Sequence, residues 1–248
     1  MARTDWFDEW FDTPYYHQLY FQRDEKEASG FIDLLIAHLQ AAPNSTMLDV
    51  ACGKGRHSYH LHELGHDVTG IDISVQSISE ANESAEQGLQ FFVHDMRQPF
   101  RINYFDYAFN FFTSFGYFNT RREHDAAIRT IAQSLKLDGI LVIDYLNVHF
   151  AEDHFKHQFD IEMNGTNFHI TKWMDEDHFY KKIEVERDEF TEPHVYTEKV
   201  AKFSLGDFTE MLAYQGLQIM EVFGDYQLGP YDVRTTPRMI MIAKKIRP

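Results

Sequence analysis

The feature that most constrains the fold is the segment from Met47 to Ser74, which reads MLDVACGKGRHSYHLHELGHDVTGIDIS. An apolar strand pattern leads into a glycine turn, a helical stretch and a second apolar strand that ends in an acid, Asp72. This acid lies 23 residues after Asp49 in the first strand. A unit of this layout places the turn against a nucleoside-bearing ligand and a carboxylate against its ribose hydroxyls. The segment therefore predicts a nucleotide-type cofactor site.

The rest of the chain predicts the architecture around this unit. Strand and helix patterns alternate as far as Asn147, which gives five strands with helices between them. Alternation of this kind predicts an α/β fold with parallel strands and right-handed crossovers. Residues 150–203, with an Asn164-Gly165 turn, predict an antiparallel β insert. A helix and two final strands after residue 203 complete a mostly parallel, Rossmann-like sheet of seven strands with flanking helices.

Composition excludes several classes of protein. The net charge is −16, and an acidic chain lacks the clustered Lys and Arg that contact phosphate backbones, so we expect neither nucleic acid nor an anionic membrane surface as partner. A single cysteine, Cys52, excludes an internal disulfide framework. The first residues lack a signal-peptide pattern, and no apolar run approaches the ~20 residues of a membrane span. We therefore expect a cytoplasmic protein.

The glycine turn distinguishes between cofactor classes. A dinucleotide fold has G-x-G-x-x-G after its first strand, whereas here Cys52 and Ser58 stand at the first and third glycine positions. The stretch DVACGKGRHS resembles motif I of the class I S-adenosylmethionine-dependent methyltransferases. The similarity continues through GIDIS, VHDMRQPF, YFDYAFNFFTSFGYF and LKLDGILVIDYLN, although the family usually has Pro-Gly-Gly where this chain has Leu-Asp-Gly. The TSFGYF and IDYLN pieces further resemble bacterial small-molecule methyltransferases that carry an antiparallel insert.

The resemblance implies S-adenosyl-L-methionine as cofactor and a role for each matching residue. The glycine turn would hold the methionine portion, Asp72 the ribose, and Asp95 with Met96 the adenine. Phe111 or Phe112 would line the sulfonium end, because an aromatic face attracts a cation. In the related enzymes the N-terminal region closes over the cofactor as a lid, which makes Tyr16 and Arg23 candidate contacts. The predicted cofactor residues are Asp49, Ala51, Cys52, Gly53, Gly55, Asp72, Ile73, Asp95, Met96, Phe111, Phe112, Tyr16 and Arg23.

The predicted organisation has three parts, and catalysis is harder to assign. Residues 1–42 form the helical lid, residues 43–149 and 204–248 the methyltransferase core, and residues 150–203 the insert, either a substrate cover or a dimer surface. Methyl transfer from a sulfonium is an in-line displacement, so a base is needed only if the acceptor must lose a proton. The candidate proton acceptors are Tyr117, His149 and His17. The expected partner is a small-molecule acceptor, with a homodimer as a further option.

Three alternatives compete with this interpretation. A nicotinamide-dependent oxidoreductase shares the strand–turn–helix–acid layout, but residues 52 and 58 and the antiparallel end count against it. A non-catalytic scaffold that binds the cofactor fits the same motifs, since binding and catalysis are separable. His62-Glu63-Leu64-Gly65-His66 matches a zinc-protease motif, which requires a continuous helix, but Gly65 predicts that the helix ends there. We therefore expect no metal site.

Overall fold

The computed structural model describes residues 6–20, 25–187 and 190–247. The helices are α1 Trp6–Phe11, α2 Pro14–Tyr20, α3 Glu25–Leu39, α4 Arg56–Glu63, α5 Val75–Ala81, α6 Arg121–Ser134, α7 Val148–Asp153 and α8 Leu205–Tyr214. The strands are β1 Thr46–Val50, β2 Asp67–Asp72, β3 Leu89–Val93, β4 Phe105–Asn110, β5 Leu135–Leu146, β6 Gln158–Met163, β7 Thr166–Met174, β8 His178–Glu186, β9 His194–Ala201, β10 Leu217–Phe223 and β11 Arg238–Lys245. Among these described helices, none has the length and apolarity to cross a membrane.

Seven strands form the main sheet, in the order β10-β11-β5-β4-β1-β2-β3. Strands β1 to β5 are parallel, whereas β11 pairs antiparallel with β5 and β10 antiparallel with β11. The predicted seven-stranded, mostly parallel sheet is therefore confirmed. The strand order reverses between β1 and β4, and in open α/β sheets ligands bind outside the carboxyl ends of the strands at such a point.

The glycine turn after β1 is shaped by left-handed backbone. Gly53 has φ +56° and Gly55 has φ +78°. A Cβ on Gly55 would lie 2.5 Å from the Phe91 ring, so only glycine fits there. Gly55 is also the residue before α4, and this lets the helix start close against the sheet. The helix ends at Glu63, and Gly65 (φ +92°) follows it, so the continuous helix of a zinc-protease motif is not present.

Three elements differ from the sequence-based expectation. The Asp138-Gly139 turn lies within β5, which begins at Leu135 and pairs with β4 through a register shift at this point. Asp138 has φ +66°, so the predicted turn is accommodated as a bulge in a longer strand. The short helix α7 and the strand β9 had no recognised pattern in the sequence; β9 extends the insert to four strands, in the order β6-β7-β8-β9.

The N-terminal helices α1 and α2 pack on this second, antiparallel sheet. Trp10 is buried together with Leu19 against Phe168 and Ile170 of β7. The carboxylate of Glu198 on β9 accepts hydrogen bonds from Trp10 Nε1 at 2.8 Å and from the Tyr20 hydroxyl at 2.7 Å. The division of the chain into lid, core and insert stays our proposal, and the contacts at Glu198 are what would join lid to insert.

We expect the variant Glu198→Gln to loosen α1 and α2 while the main sheet stays intact. Neutralising a buried carboxylate that accepts several hydrogen bonds costs about 1–3 kcal/mol. Hydrogen exchange of residues 6–20 should therefore accelerate relative to that of β1 and β4. Glu184→Gln is the matched control, since Glu184 lies on the neighbouring strand and pairs with Lys182 at 2.9 Å. Equal exchange in both variants would contradict the assigned contact.

Candidate active site

A cavity of about 460 Å³ lies at the carboxyl ends of the central parallel strands. Its walls come from the turn after β1, from the ends of β2 and β3, from the segment after β4, and from α1 and α2. It brings together twelve of the residues predicted from the sequence: Tyr16, Asp49, Ala51, Cys52, Gly53, Asp72, Ile73, Asp95, Met96, Phe111, Phe112 and Tyr117. These residues span about a hundred positions of the chain, so the fold assembles them from several separate motifs.

Asp72 lies at the end of β2, opposite the glycine turn. Its Oδ2 accepts from the Gly53 backbone N–H at 2.8 Å, and its Oδ1 accepts from the Ser74 backbone N–H at 2.8 Å. Burial raises the pKa of this carboxyl, while the two backbone donors act in the opposite direction. The carboxylate is thus held rigidly at the cavity wall, with lone pairs left over for a ligand hydroxyl.

Asp49 and Cys52 lie deeper in the same wall. The Ser58 hydroxyl donates to Asp49 at 2.6 Å, yet burial raises the pKa of Asp49 to about 7. Burial, with the nearby charges of Asp49 and Asp72, also raises the pKa of the Cys52 thiol well above its usual value. A thiol with a raised pKa is a poor nucleophile, so Cys52 is unsuited to attack a substrate.

Asp95 is held by an arginine that the sequence interpretation missed. Arg97 Nε lies 2.9 Å from Asp95 Oδ2, and Arg97 Nη1 donates to Glu123 at 2.9 Å. The guanidinium also lies over the Phe118 ring, 4.9 Å from its centroid. Arg97 is only two residues from Asp95, and an Asp-x-Arg spacing of this kind was a signal that could have been used. The pairing orients the Asp95 side chain, whose role toward adenine stays a prediction.

The loop after β4 contributes aromatic side chains to the cavity wall, and its backbone is strained. Phe112 and Thr113 have φ +56° and +59°, the left-handed region that non-glycine residues seldom adopt. The Phe112 ring stacks on His57 with centroids 4.9 Å apart and lies 5.3 Å from the ring of Tyr226. Conformations of this kind cost about 1–3 kcal/mol each and persist only when neighbouring groups enforce them.

A buried ion pair enforces this loop conformation. Asp144 on β5 is fully buried and accepts from Arg238 at 2.6 Å, from the Phe112 backbone N–H at 2.8 Å and from the Tyr226 hydroxyl at 3.1 Å. Arg238 also donates to the Thr113 hydroxyl at 2.9 Å. Burial is the largest single influence and would lower the pKa of Arg238, but the charge of Asp144 and the hydrogen bond to it, together with Tyr226 and Tyr117, outweigh it and raise the pKa. Both residues of the strained pair are therefore fixed by one ion pair.

A second cavity, of about 850 Å³, adjoins the first beneath the antiparallel sheet. The two cavities share the five lining residues Tyr20, Phe112, Thr113, Tyr117 and Glu198. Burial raises the pKa of Tyr20, and the charge of Glu198 adds to this effect. The shared residues form a junction where a ligand in one cavity can meet a ligand in the other.

Of the remaining four predicted residues, Gly55 and His149 line neither cavity, and the other two lie wholly or partly outside the described residues. Gly55 lies behind the turn against Phe91, where it shapes the site without facing it. His149 lies on α7, with its Nδ1 3.5 Å from Glu152. The backbone of His17 belongs to α2, and its side chain, like Arg23, lies outside the described residues. Within the described part of the chain, no three His, Cys, Asp or Glu side chains are grouped to hold a metal ion.

The comparison with protein families identifies the chain. A family model described as a methyltransferase domain matches residues 41–216, which is more than half of the sequence. The chain therefore belongs to the methyltransferase-domain family, and the resemblance drawn from its motifs is confirmed.

Known relatives agree with this family. A dTDP-3-amino-3,4,6-trideoxy-alpha-D-glucopyranose N,N-dimethyltransferase of Streptomyces venezuelae is 32% identical over 124 residues, 48% of this chain and 48% of that protein. The chain thus matches about half the length of this relative. A glycine/sarcosine N-methyltransferase of Aphanothece halophytica is 28% identical over 83% of this chain and 77% of its own. The solved structure of SAM-bound CalS10, an amino pentose methyltransferase from Micromonospora echinaspora, has a TM-score of 0.71 at 19% identity, covering 94% of this chain and 97% of that one.

We expect Asp144→Asn to destabilise the protein by about 3–5 kcal/mol, because it leaves the Arg238 charge buried without its partner. Asp153→Asn is the control: Asp153 pairs with Arg234 at 3.1 Å on the surface, and exposed pairs contribute about 0–1 kcal/mol. Denaturant unfolding measures both changes. Similar midpoints for the two variants would show that the buried pair does not hold the loop.

Proposed function

We propose that the protein is an S-adenosyl-L-methionine-dependent methyltransferase that methylates a small-molecule acceptor by in-line displacement. The observation that carries this proposal is the junction of the two cavities at Tyr20, Phe112, Thr113, Tyr117 and Glu198. A donor in the first cavity and an acceptor in the second would meet there, enclosed by protein. Alignment of two reactants away from water is what such a displacement requires from an enzyme.

The lining of the first cavity fits this cofactor. Apart from Gly53 and its two chain neighbours, no heavy atom of the described residues lies within 4 Å of the position of a Cβ on Gly53, so a ligand can approach the backbone of the turn closely. Asp72 presents a carboxylate for the ribose hydroxyls, and Asp95 with Met96 lies at the far wall for the adenine. Tyr16, Phe111 and Phe112 supply aromatic faces for a cation. These residues are the proposed cofactor contacts, and the cofactor would supply an electrophilic methyl group.

The junction residues would position the acceptor. Tyr117 lines both cavities, and we propose that its hydroxyl contacts the reacting groups. Its neighbour Phe11 packs edge-on against it, with ring centroids 5.2 Å apart, and this limits the motion of the Tyr117 ring. His149 has no place in this proposal because it lines neither cavity.

The named relatives support an acceptor of modest size. Their printed names describe methylation of a nucleotide-linked amino sugar and of glycine or sarcosine, which are small molecules carrying an amine. An amine is accordingly the favoured acceptor group for this chain, although the fold serves many chemistries. Nothing among the relatives supports the nicotinamide alternative. Cytoplasmic location and a homodimer both stay predictions.

We expect calorimetric titration to detect binding of S-adenosyl-L-methionine and of S-adenosylhomocysteine, and no binding of NAD. Asp72→Asn should weaken both by about 10–100-fold, since a charge-assisted hydrogen bond contributes roughly 1.5–3 kcal/mol. Asp67→Asn, at the opposite end of the same strand, is the control and should leave affinity unchanged. Binding of NAD instead, or equal affinity in both variants, would overturn the proposed cofactor site.

The pKa of Asp49 leads to a second expectation. Below pH 7 this carboxyl is protonated in the free protein, whereas a cation bound in the same cavity favours the ionised form. Binding must then release a proton, so affinity for S-adenosyl-L-methionine should fall as the pH decreases from 7 to 5.5, by up to about tenfold per pH unit. Asp49→Asn should remove this pH dependence. A wild-type affinity that is constant across this range would contradict the coupling.

A further inference from the structure

The side chains that line the second cavity carry an excess of positive charge, whereas the chain as a whole is acidic. The protein carries 39 Asp and Glu against 23 Lys and Arg, yet the described residues that line this cavity include four Lys or Arg and a single carboxylate, Glu198. Two of these cations are compensated nearby: Arg238 pairs with Asp144 at 2.6 Å, and Lys181 lies 3.5 Å from Glu198. The remaining two cations are Lys156 and Lys172.

Lys172 and Lys181 are directly opposite each other on neighbouring antiparallel strands. The register pairs Lys172 of β7 with Lys181 of β8, and Lys181 in turn with Glu198 of β9. Residues paired in this way point to the same face of the sheet, and like charges directly opposite destabilise it. Two ammonium groups and one carboxylate therefore form a single row facing the cavity, and the row carries an excess positive charge.

Lys156 adds a third positive charge at the edge of this row. The Lys172 backbone N–H donates to the His157 carbonyl at 2.7 Å, which holds the segment containing Lys156 beside β7. Burial lowers the pKa of Lys172; Glu198 opposes this change and the charge of Lys156 adds to it. In the described residues, neither Lys156 nor Lys172 has a carboxylate partner. Lys172 instead lies over the Phe159 ring, 5.1 Å from its centroid.

We infer that Lys172 and Lys156 bind an anionic group, a carboxylate or a phosphate, on the acceptor molecule. The inference rests on the proposed function, because it assigns the second cavity to the acceptor. The excess positive charge of this row is unfavourable in the free protein and becomes favourable once an anion lies between the ammonium groups. The cavity is otherwise lined largely by aromatic side chains, including Phe150, Phe155 and Phe179, so it accommodates an apolar body beside the anion. Anchoring the anion near Lys172 would direct the opposite end of the acceptor to the junction.

The test uses three small aromatic molecules of similar size with the protein saturated by S-adenosylhomocysteine. Benzoate carries a carboxylate, phenyl phosphate carries a phosphate, and benzyl alcohol is neutral. Calorimetry or ligand-observed NMR should detect binding of at least one of the two anions, more tightly than benzyl alcohol, and the tighter of the two identifies the anionic group. Failure of both anions to bind at millimolar concentration, or equal binding of all three molecules, would overturn the inference.

Variants separate an anion site from a structural role. Lys172→Met should weaken binding of the preferred anion by at least about tenfold, and Lys172→Arg should retain it because the charge is kept. Lys182→Met is the matched control: Lys182 is on the opposite face of β8 and pairs with Glu184, so the affinity should not change. In the free protein, Lys172→Met should raise the unfolding midpoint, since it removes an ammonium group whose charge burial disfavours. Unchanged anion affinity in Lys172→Met would overturn the inference.

Separate measurement of the affinities for S-adenosylhomocysteine and for the anions distinguishes this inference from the proposed function. Affinity for S-adenosylhomocysteine is measured first, and its absence contradicts the proposed cofactor site irrespective of any anion. Normal affinity for S-adenosylhomocysteine without anion binding leaves the cofactor site supported and overturns only the assignment of Lys172 and Lys156.

Discussion

The ion pair between Asp144 and Arg238 is the interaction on which the site depends. It joins the parallel part of the sheet to its antiparallel edge, because Asp144 is on β5 and Arg238 begins β11. Asp144 also fixes the backbone of Phe112, and Arg238 fixes Thr113, so one pair of charges holds the strained loop shared by both cavities. Charges buried to this degree are costly unless every partner is in place. The buried ion pair thus lowers the stability of the protein but keeps the junction between the two cavities rigid.

Glu198 has the corresponding role on the insert. It accepts from Trp10 and Tyr20 of the N-terminal helices and lies beside Lys181 in the charged row of the second sheet. The residues that cover the first cavity are thereby connected to those that line the second. A ligand bound in one cavity would therefore influence the other cavity through the Glu198 carboxylate. Such a connection suits an enzyme in which two ligands must be aligned before reaction.

Local sequence patterns predicted much of the fold and of the proposed cofactor site. The turn after β1, the acid at the end of β2 and the antiparallel final strands were predicted, because strand periodicity and glycine turns depend on short stretches of chain. The strand β9 was missed: its residues HVYTEKVA alternate weakly and only pairing with β8 defines it. Asn147, directly after β5, donates to the carbonyls of Asp232, Val233 and Thr236. Such contacts join distant segments and leave no local signal.

The sequence by itself determined the class of cofactor site, because the residues that form it follow directly after consecutive parallel strands. Each of those strands places its carboxyl end at the same edge of the sheet, so spacing along the chain translates into position. Only the tertiary structure decided what surrounds the second cavity. Arg238 meets Asp144 across 94 residues, and Tyr20 meets Glu198 across 178. These pairings depend on how sheets and helices pack, and that is a property of the whole chain.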